Sequence, residues 1–316
     1  MLGDILMPLI NVLIFPGFLF LSSLGLVAEF VDRKLYARLQ NRVGPPFFQP
    51  FADFVKLSAK QEIVPEQADA TMFRSMPIIA MAATACAFLY LPMWGYASLF
   101  SFEGDLIVAL YLLMIPTLSF FLGAVYSTSL FSTIGAMRAA TQLFAYEVPL
   151  FLAMLSPALL SGSWSVSGIA AFFGSHPWRW CFDLLGFAVG LVAVLGKLEK
   201  VPFDIPDAET EIVGGVFTEY SGRLLALIRM TTDMEAVVLS SLLAAVFLPF
   251  GLGLAPLLGF LLYILKVLFV IILITVLRTI MARLRIDRMM AFCWKVLAPL
   301  AFLQMIACLV LKGVAA

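Results

Sequence analysis

The chain has 316 residues, of which 63% are hydrophobic and only 13% are charged. That composition excludes a soluble domain, because a water-facing surface of this size carries about 25% charged residues. The 20 basic and 20 acidic side chains cancel to a net charge of zero. This total says nothing about partners; from the hydrophobic composition we expect lipid around the chain and no nucleic-acid partner.

Apolar runs of about 20 residues predict transmembrane helices. Gly251, Gly253 and Pro256 mark a tight turn between the sixth and seventh of these runs. The sequence therefore predicts an all-α integral membrane protein with a single membrane domain over residues 1–316. Its eight predicted spans are 6–28, 76–97, 106–127, 134–160, 180–198, 236–254, 256–277 and 290–311.

Lysine and arginine are concentrated in the odd-numbered connections between the predicted spans. The positive-inside rule then places those connections in the cytoplasm and both termini outside, an N-out/C-out orientation. The two long connections, 32–75 and 199–233, are therefore predicted to be cytoplasmic. We expect a multi-pass protein of the cell's inner (plasma) membrane.

The first connection contains a stretch with amphipathic helical spacing. This spacing predicts a short helix in the cytoplasmic membrane interface or under a partner subunit, with a plain connector as the alternative. Its predicted apolar face consists of Phe51, Phe54, Val55 and Ala59, and its polar face of Asp53, Lys56 and Lys60.

Acidic side chains are crowded into the stretch 199–222, where Lys200 is the base among them. Acids at the edge of hydrocarbon are kept when they are solvated, paired or used, so the stretch suggests proton handling. The acids are Glu199, Asp204, Asp207, Glu209, Glu211 and Glu219.

Further charges lie within or next to the predicted spans. Glu147 and Lys266 lie deep in the fourth and seventh spans, and Glu29 lies at the cytoplasmic end of the first. An ionisable residue at this depth indicates a proton or polar pathway by default. The alternative is that these side chains pair and hold helices together.

Several motifs carry a family resemblance: EKVPFDIPDAETEIVGGVFTEYSG at 199–222, RAATQLFAYEVP at 138–149, DRK at 32–34, QPFAD at 49–53 and RLRID at 283–287. These motifs resemble those of the H-type subunit (subunit 1) of respiratory complex I and of related group 4 membrane-bound NiFe hydrogenases, and they follow one another along the chain in the same order. The resemblance covers most of the chain.

The resemblance implies a membrane-anchor and coupling subunit of a redox-driven ion-translocating complex. This chain would bear no cofactor or metal, while partner subunits would hold iron–sulfur clusters and a NiFe centre. The implied partners are a hydrogenase-like large subunit, a small iron–sulfur subunit, a ferredoxin-like subunit and antiporter-like membrane subunits. The coupling residues would be Glu29, Glu147, Lys266, the six acids of 199–222, Asp233 and Glu235, and the docking residues Arg33, Lys34, Arg38, Arg42, Arg283, Arg285 and Asp287.

Two departures from the complex I pattern decide which branch of this family we favour. The first connection is short, and ARLRID at 282–287 resembles the ferredoxin-linked hydrogenases and sulfane-sulfur reductases, which we favour. The YEVP and QPFAD motifs instead resemble complex I, where the equivalent chain forms the quinone chamber, and that is the alternative. A stand-alone ion transporter is the alternative of another class.

Overall fold

The structure is a computed structural model that describes residues 9–93, 95, 98–251 and 253–315. Across these residues, eight helices are long and apolar enough to cross a bilayer, and none of the residues forms a β-strand. The all-α membrane fold class is therefore confirmed. An even number of spans returns the chain to its starting side, whereas the N-out/C-out orientation stays a prediction.

The connections 40–69, 198–221 and 281–285 lie on one side of the bundle, which we call the loop side. The first span begins at Leu9, ahead of α1, and the eighth comprises α11, a π-helical turn at Cys293–Leu297, and α12. The helices are α1 (Phe18–Leu39), α2 (Gln49–Ala59), α3 (Ala70–Leu89), α4 (Asp105–Tyr126), α5 (Leu130–Ser161), α6 (Val166–Ser175), α7 (Leu184–Lys197), α8 (Glu209–Ile212), α9 (Gly222–Phe247), α10 (Pro256–Ile280), α11 (Ile286–Phe292) and α12 (Ala298–Ala315).

The largest differences from the predicted spans occur at three helices. The helix α1 continues to Leu39 instead of ending at 28, and α9 begins at Gly222 instead of 236. The helix α3 covers Ala70–Leu89 instead of 76–97. Charged residues end a hydropathy run, but the backbone stays helical because neighbouring helices pair those charges. The loop-side connections are accordingly 40–69 and 198–221, not 32–75 and 199–233.

The predicted amphipathic helix is present as α2, which packs against α1 and α9. Of the predicted apolar face, Phe51 and Phe54 pack against the hydrophobic core. Val55, which is 65% exposed, and Ala59, also exposed, remain free to face lipid or a partner subunit, which stays a prediction. Leu57, between them in sequence, is half-buried instead.

The helix α9 lies at the centre of the bundle and packs against α1, α3 and α10. The helix α5 packs against α4, α7 and α12. By contrast, α10 and the last span leave most of their surface exposed, which suits contact with lipid or another membrane subunit.

The acidic connection, residues 198–221, is seated tightly against two spans. A Cβ added to Gly135 of α5 would lie 2.6 Å from the backbone of Gly215 and Val216, so only glycine permits this approach. The ring of Tyr220 stacks on Phe73 of α3 at 4.1 Å, and its hydroxyl donates to the Phe73 carbonyl at 3.2 Å. The connection is thus fixed between α3 and α5.

We predict that Gly135→Ala destabilises the protein by about 1–3 kcal/mol, because the added methyl meets backbone that cannot rotate away. Alanine is otherwise the better helix former, so any loss reports the clash. The measurement is thermal unfolding of the purified protein in detergent.

Gly253→Ala is the matched control, since a Cβ there has no atom within 4 Å. Equal melting temperatures for the two variants would contradict a tight seat at Gly135.

Candidate functional site

Three charged side chains meet inside the bundle, and we call them the membrane charge cluster: Glu147 on α5, Lys197 at the end of α7 and Glu235 on α9. Their residues are only 7%, 2% and 4% exposed. Lys197 Nζ lies 3.4 Å from Glu235 Oε1 and 5.5 Å from the centre of the Tyr146 ring. Glu147 interacts electrostatically with the same amine. One buried cation is therefore shared between two acids.

Close packing of α5 on α7 brings this cluster together. A Cβ on Gly196 would lie 3.1 Å from the Cβ of Tyr146, so the two helices approach at a residue without a side chain. Gln142 Nε2 donates to the Gly196 carbonyl at 2.7 Å and fixes that contact. Among the described residues, neither carboxylate oxygen of Glu147 has a hydrogen-bond partner. Such a carboxylate can take up a proton or a water.

Glu199 connects the cluster to the acidic connection. It adopts a left-handed backbone conformation, with φ of 51°, directly after α7 ends. Burial raises the pKa of its carboxyl to about 8, and the nearby negative charges of Asp207 and Glu235 add to that effect against the attraction of Lys197. Glu199 can therefore gain or lose a proton near neutral pH.

A second buried carboxylate, Asp32 of α1, binds three partners, and we call the four residues the Asp32 clamp. Asp32 Oδ2 lies 2.6 Å from Lys200 Nζ and 3.0 Å from Arg278 Nη1. Its Oδ1 accepts a hydrogen bond from Thr275 Oγ1 at 2.6 Å. The clamp ties the acidic connection to α1 and α10.

A small cavity, with about 280 Å³ of empty space, lies beside the clamp and is lined by Glu29, Asp32, Lys200 and Asp233 among others. Asp233 interacts electrostatically with Glu29. Arg33 pairs with Glu29 at 2.5 Å and with Asp53 of α2 at 3.1 Å. The cavity therefore joins charges from α1, α9 and the acidic connection.

Ion pairs also cross the loop-side surface. Arg138 Nη1 lies 2.6 Å from Glu211, and Arg283 lies 3.1 Å from Asp204 and 3.5 Å from Glu211. The hydrogen bond from Arg138 lowers the pKa of Glu211, with Arg283 contributing, whereas burial raises the pKa of Asp204 despite Arg283. An open pocket with about 740 Å³ of empty space is bordered by Arg138, Glu211 and Arg283, and Arg285 also lines it.

The remaining candidate residues are distributed around these groups. Arg38 and Arg42 are exposed, while Lys34 donates to the Pro45 carbonyl at 3.2 Å. Glu219 is half-buried, and Asp287 lines the open pocket with Arg285. The Glu209 side chain lies outside the described residues. Lys266 is not brought to Glu147: it lines a separate crevice on the side away from the acidic connection.

Sequence reasoning did not single out Lys197, Lys200, Asp32 or Arg278 as site residues. In the sequence, Lys197 lies at the end of the predicted span 180–198, Lys200 is noted as the base within the acidic stretch, and Arg278 is one of the basic residues of a connection. A signal was present, because a lysine next to an acidic stretch at a span end has carboxylates within reach. In the described chain, no group of three or more His, Cys, Asp or Glu side chains is placed to hold a metal ion.

Comparison with known proteins agrees with this architecture. The profile of the family described as NADH dehydrogenase matches residues 10–309. The H-type subunit of the Thermomicrobium roseum NADH-quinone oxidoreductase is 35% identical, over 91% of this chain and 92% of its own. Subunit 8 of the Thermus thermophilus NADH-quinone oxidoreductase is 34% identical, over 90% and 82%.

Among solved structures, the chain is similar to one from the membrane-bound sulfane sulfur reductase (MBS), an archaeal respiratory membrane complex. The TM-score is 0.81 at 26% identity, covering 92% of this chain and 96% of that one. Since the family profile and the curated relatives extend over nearly its whole length, the chain belongs to the NADH dehydrogenase family, among its H-type (subunit 1) membrane subunits.

Proposed function

We propose that the chain is the membrane coupling subunit of a multi-subunit redox complex that moves H⁺ or Na⁺ across a membrane. The observation that carries this proposal is the membrane charge cluster, a buried lysine shared by two acids and continued to the surface by Glu199. A purely structural ion pair does not need a neighbouring carboxyl group that exchanges its proton near neutral pH.

Electrostatic contacts form a continuous series from the loop side into the bundle. Asp207 acts on Glu199, Glu199 interacts with Glu235 and Lys197, and Lys197 interacts with Glu147. Added negative charge beside the acidic connection would favour proton uptake at Glu199. A protonated Glu199 no longer repels Glu235. The relative attraction of the Lys197 amine to Glu235 and to Glu147 then changes. The series can thus convert charge at the surface into a rearrangement inside the membrane.

Partner subunits would supply the electrons. Iron–sulfur clusters, and in the hydrogenase-like branch a NiFe centre, would be held by the hydrogenase-like, small iron–sulfur and ferredoxin-like subunits. Arg285 and Asp287 of the open pocket, together with exposed Arg38 and Arg42, would dock them on the loop side. Antiporter-like membrane subunits would contact the exposed spans, in the plasma membrane of the cell.

Within the family, we favour the ferredoxin-linked branch that includes the sulfane-sulfur reductases. The short first connection and the similarity to the MBS chain support this choice. The alternative is a complex I subunit with a quinone chamber, which the names of the curated relatives support. Reconstitution with reduced ferredoxin and, separately, with a quinone as acceptor would distinguish the two.

We predict that Glu147→Gln lowers redox-driven ion uptake at least about tenfold, since the amide cannot take up a proton. Electron transfer to an artificial acceptor should persist, because no redox group is altered. Both rates would be measured on the same proteoliposomes containing the whole complex.

Glu66→Gln is the matched control, because Glu66 is an exposed glutamate in the connection 40–69. Ion uptake by Glu147→Gln that equals the control would show that Glu147 is structural. A purified chain that carries ions without partners or an electron donor would contradict the coupling role itself.

We predict that ion uptake falls as the pH rises through about 8, where Glu199 loses its proton. The carboxyl is neutral and able to donate below that pH, and it is a permanent anion above it. Glu199→Gln should lower the uptake and abolish the fall in uptake near this pH, which we call the step. The measurement is the pH profile of uptake divided by the rate of electron transfer.

Glu211→Gln provides the comparison, since the hydrogen bond from Arg138 lowers the pKa of Glu211 and keeps it ionised in this range. This variant should retain the step. If the step survives in Glu199→Gln, another group is responsible for it.

A further inference from the structure

A crevice opens between the end of α9, the start of α10 and the residues that follow α3. About 390 Å³ of empty space lies within the crevice and at its open mouth. Its walls are mostly apolar, and one cation, Lys266, lies among them. Lining residues include Pro92, Met93, Ala245, Gly259, Leu262 and Lys266.

Lys266 is incompletely satisfied. Its ammonium has three hydrogen-bond donors, and it donates to the Phe250 carbonyl at 2.5 Å. Within the described part of the chain, no carboxylate lies within 4.0 Å of this amine, in contrast to Lys197. A lysine within a membrane span normally has a counter-charge or reaches the interface.

The amine of Lys266 extends toward the end of the bundle at which α10 begins. The helix rises about 15 Å between Pro256 and Lys266, and side chains on a helix point back toward its N-terminus. The contact with Phe250, in the turn before α10, confirms that the amine extends that way. Leu284 of the next connection bonds to Pro202 of the acidic connection, so the start of α10 lies on the opposite side of the bundle.

Lipid has direct access to this crevice. The residues Leu257, Leu261 and Leu265 of α10 are 72%, 56% and 66% exposed and form a lipid-facing row. Leu265 is next to Lys266 in sequence. A molecule bound at Lys266 can therefore enter sideways from the bilayer.

We infer that this crevice binds an anionic phospholipid, with its phosphate on the Lys266 amine and one acyl chain along the apolar wall. Charge complementarity selects the phosphate, because the amine has donors to spare and no carboxylate of the described residues lies within 4.0 Å of it. The apolar residues that line the crevice beside the amine, such as Met93, Ala245 and Leu262, favour a ligand with an acyl chain attached to that phosphate. A carboxylate from a neighbouring subunit would match the charge but would leave the wall uncovered.

The experiment uses the whole complex in nanodiscs of phosphatidylcholine with increasing phosphatidylglycerol, whose anionic headgroup lacks the opposing choline charge. Native mass spectrometry counts the phosphatidylglycerol retained. Lys266→Met should weaken retention at one site about fivefold, the effect of one lysine near a membrane surface. Lys266→Arg keeps the charge and should retain the lipid.

Two further variants test whether the effect is specific to Lys266 and whether the apolar wall contributes to lipid retention. Lys295→Met removes the exposed lysine of the last span and should leave retention unchanged. Ala245→Phe fills the apolar wall while keeping Lys266, and it should also weaken retention. Because it leaves the charge intact, this variant tests the site even if Lys266→Met fails to assemble.

Three outcomes would overturn the inference. Retention unaffected by both Lys266→Met and Ala245→Phe would show that the crevice binds no lipid. Loss of a membrane subunit from Lys266→Met, with lipid retention unchanged, would assign the amine to a partner's carboxylate. Loss of ion uptake with lipid retention unchanged would place Lys266 in the ion pathway.

Discussion

The pairing of Lys197 inside the membrane is the constraint on which the centre of this bundle depends. Removing one partner of a buried ion pair typically costs about 3–5 kcal/mol, because the other charge stays buried. Lys197 therefore requires Glu235 on α9 and a close approach of α5, which Gly196 permits and Gln142 fixes. The packing of three helices is set by one ammonium group.

The acidic connection is held at several points, which limits how it can act. Lys200 binds Asp32, Leu284 donates to the Pro202 carbonyl at 3.0 Å, and Gly215 contacts Gly135. A segment held this way responds to added charge by changing protonation more readily than by swinging. In the coupling role that we propose, these contacts would allow a change of protonation with little displacement, and burial raises the pKa of Glu199 to about 8.

The sequence predicted the number of spans, the α2 helix and the acidic connection, because hydropathy and composition depend on local residues. It could not predict where α9 begins, since Arg229 and Asp233 interrupt the apolar pattern without interrupting the helix. It placed Lys197 at the end of the predicted span 180–198 but could not pair it, because only the fold shows that Glu235, distant in sequence, lies beside it. A stretch of consecutive residues does not show which side chains form pairs between helices.

The charge balance of the membrane charge cluster gives it two alternative states. With Lys197 charged and both Glu147 and Glu235 ionised, the cluster would carry an excess negative charge in a low-dielectric interior, where such a charge is expensive. One proton on either acid makes it neutral. The proton and the lysine then occupy opposite acids, and the two arrangements have the same total charge. Glu199 interacts electrostatically with Glu235, so in the coupling role that we propose its ionisation would shift the balance between the two arrangements.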